Sequence, residues 1–309
     1  TPPDAFQLHP DVRSYGTTQS HVQAVDGVFH VVRAFDSEEV IHVDDSVDPV
    51  RDLETIQAEL CAKDMEYLKR AVEQEKMDVK KNPTMKLSGL FTSTMDKVEE
   101  MLTNNQPIRT GDWSTPEVEM IKEKLARLIT TKPIVYLVNL SKRDFVRKKN
   151  KWLVKIHAWI KEHGGGVMIP FSVEFERELW DLREDADATK AFLDAAEGAK
   201  SALPKMVVQG YKELNLIYYF TAGEKEVRCW TLYEGSLAPQ AAGVIHSDFE
   251  RGFIKAEVCA YEDFKALAKG KSMAEVKAAG KYRQEGKTYV VKDGDIIHFQ
   301  FNVTAPKKK

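Results

Sequence analysis

Cysteine is nearly missing from this chain. Three residues, Cys61, Cys229 and Cys259, stand far apart among 309. That count fits a reducing compartment better than a disulfide scaffold. No C-x-x-C or H-E-x-x-H pattern occurs, which argues against zinc-finger and zinc-hydrolase chemistry. No apolar run approaches the ~20 residues that span a bilayer, and the first residues do not read as a signal peptide. The expectation is a cytoplasmic protein without a membrane partner. Excess charge is also lacking: 45 Lys and Arg face 48 Asp and Glu, a formal net charge of -3. Bulk coating of DNA or RNA is therefore not expected, although RKKNK (Arg147 to Lys151) and Lys307, Lys308 and Lys309 are locally basic.

One absence weighs more than the others. A phosphate-cradling loop needs G-x-x-x-x-G-K-[ST] on a strand-to-helix turn, and no segment provides it. No D-x-x-G occurs before residue 50. The stretch from Gly280 to Thr288 imitates the first motif, but five residues separate its glycines, and the reading after it is a strand.

What is present reads as strands and helices in alternation. Asp26 to Phe35 carries Val28, Phe29, Val31 and Val32, a near-continuous apolar run like a buried parallel strand. Beyond Asp48-Pro49 the period becomes helical: Leu53, Ile56, Leu60, Met65, Leu68 and Val72 share a face. After a break at Asn82-Pro83, a second helix places Phe91, Met95, Val98 and Met101 together, so the two segments read as an antiparallel arm. Ser114-Thr115-Pro116-Glu117 signals a third helix start, with an apolar stripe from Val118 to Ile129.

Lys132 to Phe145 (KPIVYLVNLSKRDF) reads as a buried strand running into a loop. A helix with Trp152, Ile156, Trp159 and Ile160 follows, ended by Gly164-Gly165-Gly166. The strand Val167 to Ile169 then leads into Pro170-Phe171-Ser172. Such alternation predicts a parallel α/β sheet. From about Asn215 the pattern becomes a small α+β domain. Leu216 to Phe220 pairs with Val227 to Tyr233, a helix covers Asp248 to Cys259, and a hairpin joins Thr288 to Val291 with Ile296 to Phe301.

Several of these segments resemble one family, the Obg-like ATPases (the YchF group of P-loop NTPases). The resemblance rests on GVFHVVRAF, SVDPVRDLETIQAEL, KPIVYLVNLSKRDF with RKKNKWL, MIPFS, SALPK, FTAG, AAGVIHSDFERGFIKAEV and AAGKYRQEGKTYVVKDGDII, in that order from about Ser20 onward. It implies a partial P-loop G domain with a parallel sheet, interrupted by an antiparallel helical coiled-coil arm and followed by a β-grasp TGS domain. In those terms residues 1–49 and 131–214 form the two parts of the G domain. Residues 50–130 form the arm, 215–305 the TGS domain and 306–309 a basic tail.

The resemblance further implies binding and slow hydrolysis of ATP, or of GTP, with Mg²⁺, and association with ribosomes and the translation machinery. RNA contact would run through the TGS domain, and DNA is not implied. The base loops it points to hold Asn139, Leu140, Ser141, Phe171 and Ser172, with Leu140 offering an apolar surface to the base. Lys142 stands where the family usually has Glu. A lysine has donors only, so it is expected to penalise guanine or else to point to solvent.

Without the phosphate loop, positioning and charge stabilisation of the transferred group are lost, and these are nearly all of phosphoryl-transfer catalysis. The sequence as given is therefore expected to be catalytically incomplete, as a fragment of a longer protein would be. The rival expectation is a non-enzymatic module that binds ribosomes, RNA or protein through arm and TGS domain. His246 and Asp248 suggest acid–base chemistry at first sight, but local turn and capping bonds account for them.

Overall fold

A computed structural model describes residues 22–37, 40, 46–82, 86–223, 226–267 and 273–302. Most of the first segment 1–49 before residue 22, and the basic tail 306–309, lie outside the described residues. The chain divides into two compact units at Gly210 and Tyr211, four residues earlier than the sequence pattern placed the change.

The first unit is built on three parallel strands in the order β1 (Val28–Arg33), β2 (Ile134–Asn139) and β3 (Val167–Phe171). Alternation decides which side chains go where. Ile134, Tyr136 and Val138 face one core with Val32, Leu53, Ile156 and Trp159. Val135 and Leu137 face another with Ile169, Phe171, Ala202 and Met206. β2 is thus covered on both faces, as its unbroken apolar run predicts.

β1 departs from that expectation. Phe29 and Val31 are 49% and 57% exposed, because among the described residues β1 pairs only with β2 and forms the sheet edge. The inner face of β1 holds His30, whose ring centroid lies 5.6 Å from that of Tyr136. Burial, and secondarily the nearby Arg109 guanidinium, hold the His30 imidazole down at about 4.

Helix α1 (Pro49–Lys81) starts where Asp48 accepts from the backbone N–H groups of Val50 and Arg51 at 3.1 and 3.3 Å, with a proline in its first turn. It carries Asp52 near its start and Lys80 and Lys81 near its end, each sign matched to the helix dipole. Helix α2 (Gly89–Thr103) is capped by Ser88 and runs back along α1. The Gln57 side chain donates to Asn105 O at 2.8 Å, tying the start of α1 to the end of α2, so the pair is antiparallel. Cys61, Leu68, Phe91, Met95, Val98 and Leu102 fill the seam, as the helical spacing predicts.

Helix α3 (Thr115–Lys124) opens with Glu117 accepting from both the Ser114 N–H and hydroxyl, at 2.8 and 2.7 Å. It stops before Leu125, so Leu128 and Ile129 are buried from a turn and not from a longer helix. That turn is held by Asp64 of α1, a fully buried carboxylate that accepts from Ile129 N and Thr130 N at 2.8 and 2.7 Å.

The remaining helices of this part of the chain are α4 (Lys142–Arg147), α5 (Leu153–Glu162), α6 (Val173–Asp181), α7 (Ala186–Ala195) and α8 (Leu203–Glu213), with α5 packed on one face of β2 and α8 on the other. The glycines after α5 do what the sequence requires of them. Gly164, Gly165 and Gly166 have φ of 96°, 74° and 138°, which side-chain-bearing residues resist.

The second unit is a five-stranded sheet in the order β5 (Val227–Tyr233), β4 (Leu216–Ala222), β8 (Asp295–Phe301), β6 (Phe253–Ala260), β7 (Arg283–Glu285). β4 and β8 are parallel, and the other pairs are antiparallel. The β4–β5 hairpin forms as expected; two other expectations fail. The helix read over Asp248 to Cys259 is helical only as α10 (Ser247–Arg251), after α9 (Ala238–Ile245); the rest is β6.

Gly252 forces that switch. A Cβ there would meet Asn302 O at 2.4 Å, and Asn302 N donates to Gly252 O at 2.9 Å, drawing the chain into the ladder with β8. Thr288 to Val291 also fails to pair with β8. It lies against the segment before α9, with Ala238 N donating to Tyr289 O and Val291 N to Ser236 O, at 2.8 and 3.0 Å. The motif-like stretch from Gly280 to Thr288 encloses strand β7, so no helix start follows its second glycine.

Tyr219 anchors this second core. It is fully buried, and its hydroxyl donates to Ala241 O at 2.8 Å. Tyr219→Phe removes this buried hydrogen bond, so urea unfolding should show a loss of roughly 1 kcal/mol. No measurable change would mean the carbonyl has another partner. Among the described residues no helix is long and apolar enough to cross a membrane.

Candidate functional site

Parallel pairing sets β1 and β2 in register, Arg33 opposite Asn139, and brings their carboxyl ends together. Ala34 N donates to Asn139 O at 2.9 Å, and Leu140 N donates to Phe171 O at 2.8 Å, which adds the end of β3. Crevices outside the carboxyl ends of parallel strands are where such sheets bind ligands. Here a cleft of about 680 Å³ opens beside the ends of β1 and β2.

Its walls come from two segments. Ala34, Phe35 and Asp36 leave β1; Ser141, Arg143 and Asp144 belong to the start of α4, and Lys149, Asn150 and Lys151 to the turn after it. Ser141 caps α4 by accepting from Asp144 N at 3.2 Å. Lys148 ends that helix with φ of 54°, a left-handed residue that swings the chain back over the cleft.

The swing delivers Asn150, which uses both ends of its amide. Its Nδ2 donates to Ala34 O at 2.9 Å and to Asp144 Oδ2 at 2.8 Å, while its Oδ1 accepts from Trp152 N at 2.8 Å. Phe35 is steadied by Arg33, whose guanidinium centre sits 4.9 Å from the ring centroid and whose Nε donates to Phe35 O at 3.2 Å. Three cations and two carboxylates line the cleft, and Lys151 pairs with Asp36 at 3.5 Å. An aromatic ring, acceptors and a small excess of positive charge suit a planar, anionic ligand.

The residues singled out in the sequence are distributed unevenly around this cleft. Ser141 lines it. Asn139 does not line it; its Oδ1 accepts from Val173 N at 3.1 Å, linking β2 to the start of α6. Leu140 is 2% exposed and packs into the core under the sheet, so its side chain offers no surface to a ligand. Phe171 belongs to the opposite core, and Ser172 is a buried cap of α6 that accepts from Phe175 N at 3.4 Å.

Lys142 points neither into the cleft nor freely into water. Its ammonium pairs with Glu178 of α6 and lies 4.8 Å from the centroid of the Phe192 ring, while its N–H donates to Glu174 Oε2 at 3.2 Å. Phe35, Asp144 and Asn150 were not singled out by sequence reasoning. Their signal was an aromatic directly after a strand, and polar residues inside a stretch that reads as merely basic. His246 and Asp248 form a turn, with Asp248 N donating to His246 Nδ1 at 3.1 Å at the start of α10.

Residues 216–302 match the family YchF-GTPase_C, described as a protein of unknown function (DUF933). An Obg-like ATPase 1 of Oryza sativa subsp. japonica is 50% identical over 290 residues, covering 94% of this chain and 71% of the rice protein. This chain belongs to the Obg-like ATPase (YchF) family. The human Obg-like ATPase 1 is 46% identical over 294 residues, with 94% of this chain and 72% of the human protein covered. The solved structure of the Schizosaccharomyces pombe YchF GTPase superposes with a TM-score of 0.78 at 44% identity, over 92% of this Obg-like chain and 75% of that one.

Proposed function

We propose that this Obg-like protein binds a purine nucleoside triphosphate with the base end in the cleft beside β1 and β2. The observation that carries the reading is the cleft itself: an aromatic ring, the capped start of α4 and a net positive wall at the carboxyl ends of parallel strands. Its relatives are named as an ATPase and a GTPase, which supports a nucleotide ligand. Among the described residues no group of three or more His, Cys, Asp or Glu side chains stands together to hold a metal ion. Mg²⁺, which the family resemblance implies, would accompany the phosphates.

The residues given contain neither a phosphate-cradling loop nor D-x-x-G ahead of the arm. Hydrolysis by these residues alone is not expected, and their part is base recognition. The helical pair α1–α2 serves in this reading as the coiled-coil arm, and the second unit as the TGS module that contacts ribosomes or RNA in the cytoplasm. A purely binding, non-enzymatic role is the second reading, supported by the self-contained core and sheet of that unit.

Calorimetric titration of the full chain with ATP tests the first reading. Saturable binding is expected. Phe35→Ala should weaken it roughly 10-fold, the value of one base–aromatic stack. No ATP binding, with ribosome co-sedimentation retained, would leave the second reading standing.

A further inference from the structure

We propose that Asp144 reads the exocyclic amine of the bound base, taking over the edge-reading task that Lys142 does not perform. The inference rests on the nucleotide reading above and names the acceptor within that same cleft. In this chain the loop after β2 offers the cleft no side chain from its fourth residue, because the Lys142 ammonium is held by Glu178 and Phe192. Two carboxylates line the cleft, Asp36 and Asp144. The Asp36 side chain is 73% exposed and paired with Lys151, so it has no fixed aim.

Asp144 differs in its burial and in the hydrogen bonds that hold it. Its side chain is 24% exposed, and its backbone N–H is fixed by Ser141. Its Oδ2 accepts from Asn150 Nδ2 at 2.8 Å, and the same amide nitrogen donates to Ala34 O at 2.9 Å. Phe35 follows Ala34 directly. One amide therefore ties the carboxylate to the backbone that carries the aromatic ring, which serves a site that stacks a base while reading its edge.

Oδ1 carries no hydrogen bond among the described residues and is the acceptor left for a ligand. Arg143 Nε stands 3.7 Å from it, beyond hydrogen-bond distance, on a side chain 75% exposed. A carboxylate only accepts, so it rewards a base that donates, as the 6-amino group of adenine does, and gives nothing to a purine lacking that group. A hydrogen bond to a charged group, set against an unmade one, corresponds to roughly a 10- to 100-fold preference.

The test compares ATP with purine riboside triphosphate, which carries hydrogen in place of the 6-amino group, by calorimetry on the full chain. The unsubstituted protein should prefer ATP at least about 10-fold. Asp144→Asn should bring the ratio near one. Its amide oxygen still accepts from Asn150, so its NH₂ turns toward the base, donor against donor. Should that variant not fold, as judged by circular dichroism, Asp144→Ser removes the carboxylate in its place.

Equal binding of both ligands by the unsubstituted protein would overturn the role of Asp144 and leave the nucleotide reading intact. So would a ratio unmoved in the folded variants. Binding of neither ligand would remove both readings together.

Discussion

Asp64→Ala should cost the first unit roughly 3–5 kcal/mol of unfolding free energy, because it leaves two buried N–H donors without an acceptor. The carboxylate is fully buried and takes Ile129 N and Thr130 N at 2.8 and 2.7 Å. These donors belong to the turn that carries the chain from α3 into β2, the central strand of the sheet. Asp64→Asn keeps one acceptor and turns a second donor toward an N–H, so it should recover only part of the loss.

The pH dependence of the Asp64 contribution follows from its environment. Burial pushes the carboxyl above its ordinary range, against the hydrogen bonds from Thr130 and Ile129 and the charge of Lys132, which pull it down. A carboxyl raised in the fold binds its proton more tightly there than in the unfolded chain. Its contribution is therefore greatest at low pH and declines as pH rises from the ordinary carboxylate value to the folded one. Urea unfolding followed by circular dichroism at several pH values checks both points. A loss below about 1 kcal/mol for the alanine variant would show that the turn finds other acceptors.

His30 should produce a slope of opposite sign. Its imidazole is held down to about 4 against a usual 6.5, mainly by burial and then by the Arg109 guanidinium. Arg109 is itself tied to the Tyr136 hydroxyl at 3.4 Å, so a second positive charge in this place meets a resident one. The unfolded chain takes up the proton first as pH falls below 6.5, and the fold follows only near 4.

Stability contributed by neutral His30 is thus whole above 6.5 and is lost progressively down to about 4, by about 3 kcal/mol at 1.36 kcal/mol per pKa unit. His30→Gln should flatten this part of the curve. The informative quantity is the difference in unfolding free energy between protein and variant at pH 7 and at pH 5, which cancels the carboxylates common to both. A difference independent of pH would show that His30 is protonated alike in the folded and unfolded chains.

Much of the architecture was legible because it depends on short-range periodicity. The helices around Leu53 to Val72 and Phe91 to Met101 could be read from three-and-four spacing, and their antiparallel pairing from the break between them. The strands at Ile134 and Val167 announced themselves as compact apolar runs bounded by turn residues. The pattern failed where two periods were compatible with one segment. Phe249 and Phe253 stand at helical spacing, yet the backbone contact of Gly252 with Asn302, fifty residues away, ends the helix and starts β6.

The cleft was legible only in outline. Sequence alone determined the loop after β2 and the absence of a phosphate-cradling motif from the residues given, since each is a statement about neighbouring residues. Tertiary structure decided the rest. Leu140, apolar and next to a loop, went to the core because the sheet had an unfilled face. Lys142 turned from the cleft because Glu178, thirty-six residues later, and Phe192 gather its charge.

Phe35 and Asp144 became parts of one site through an amide that joins Asn150 to Ala34 across 116 residues. The physical reason is range. Backbone geometry and hydrophobic periodicity are set within a few residues, whereas the direction of a polar side chain is set by whichever charge or donor folding brings beside it.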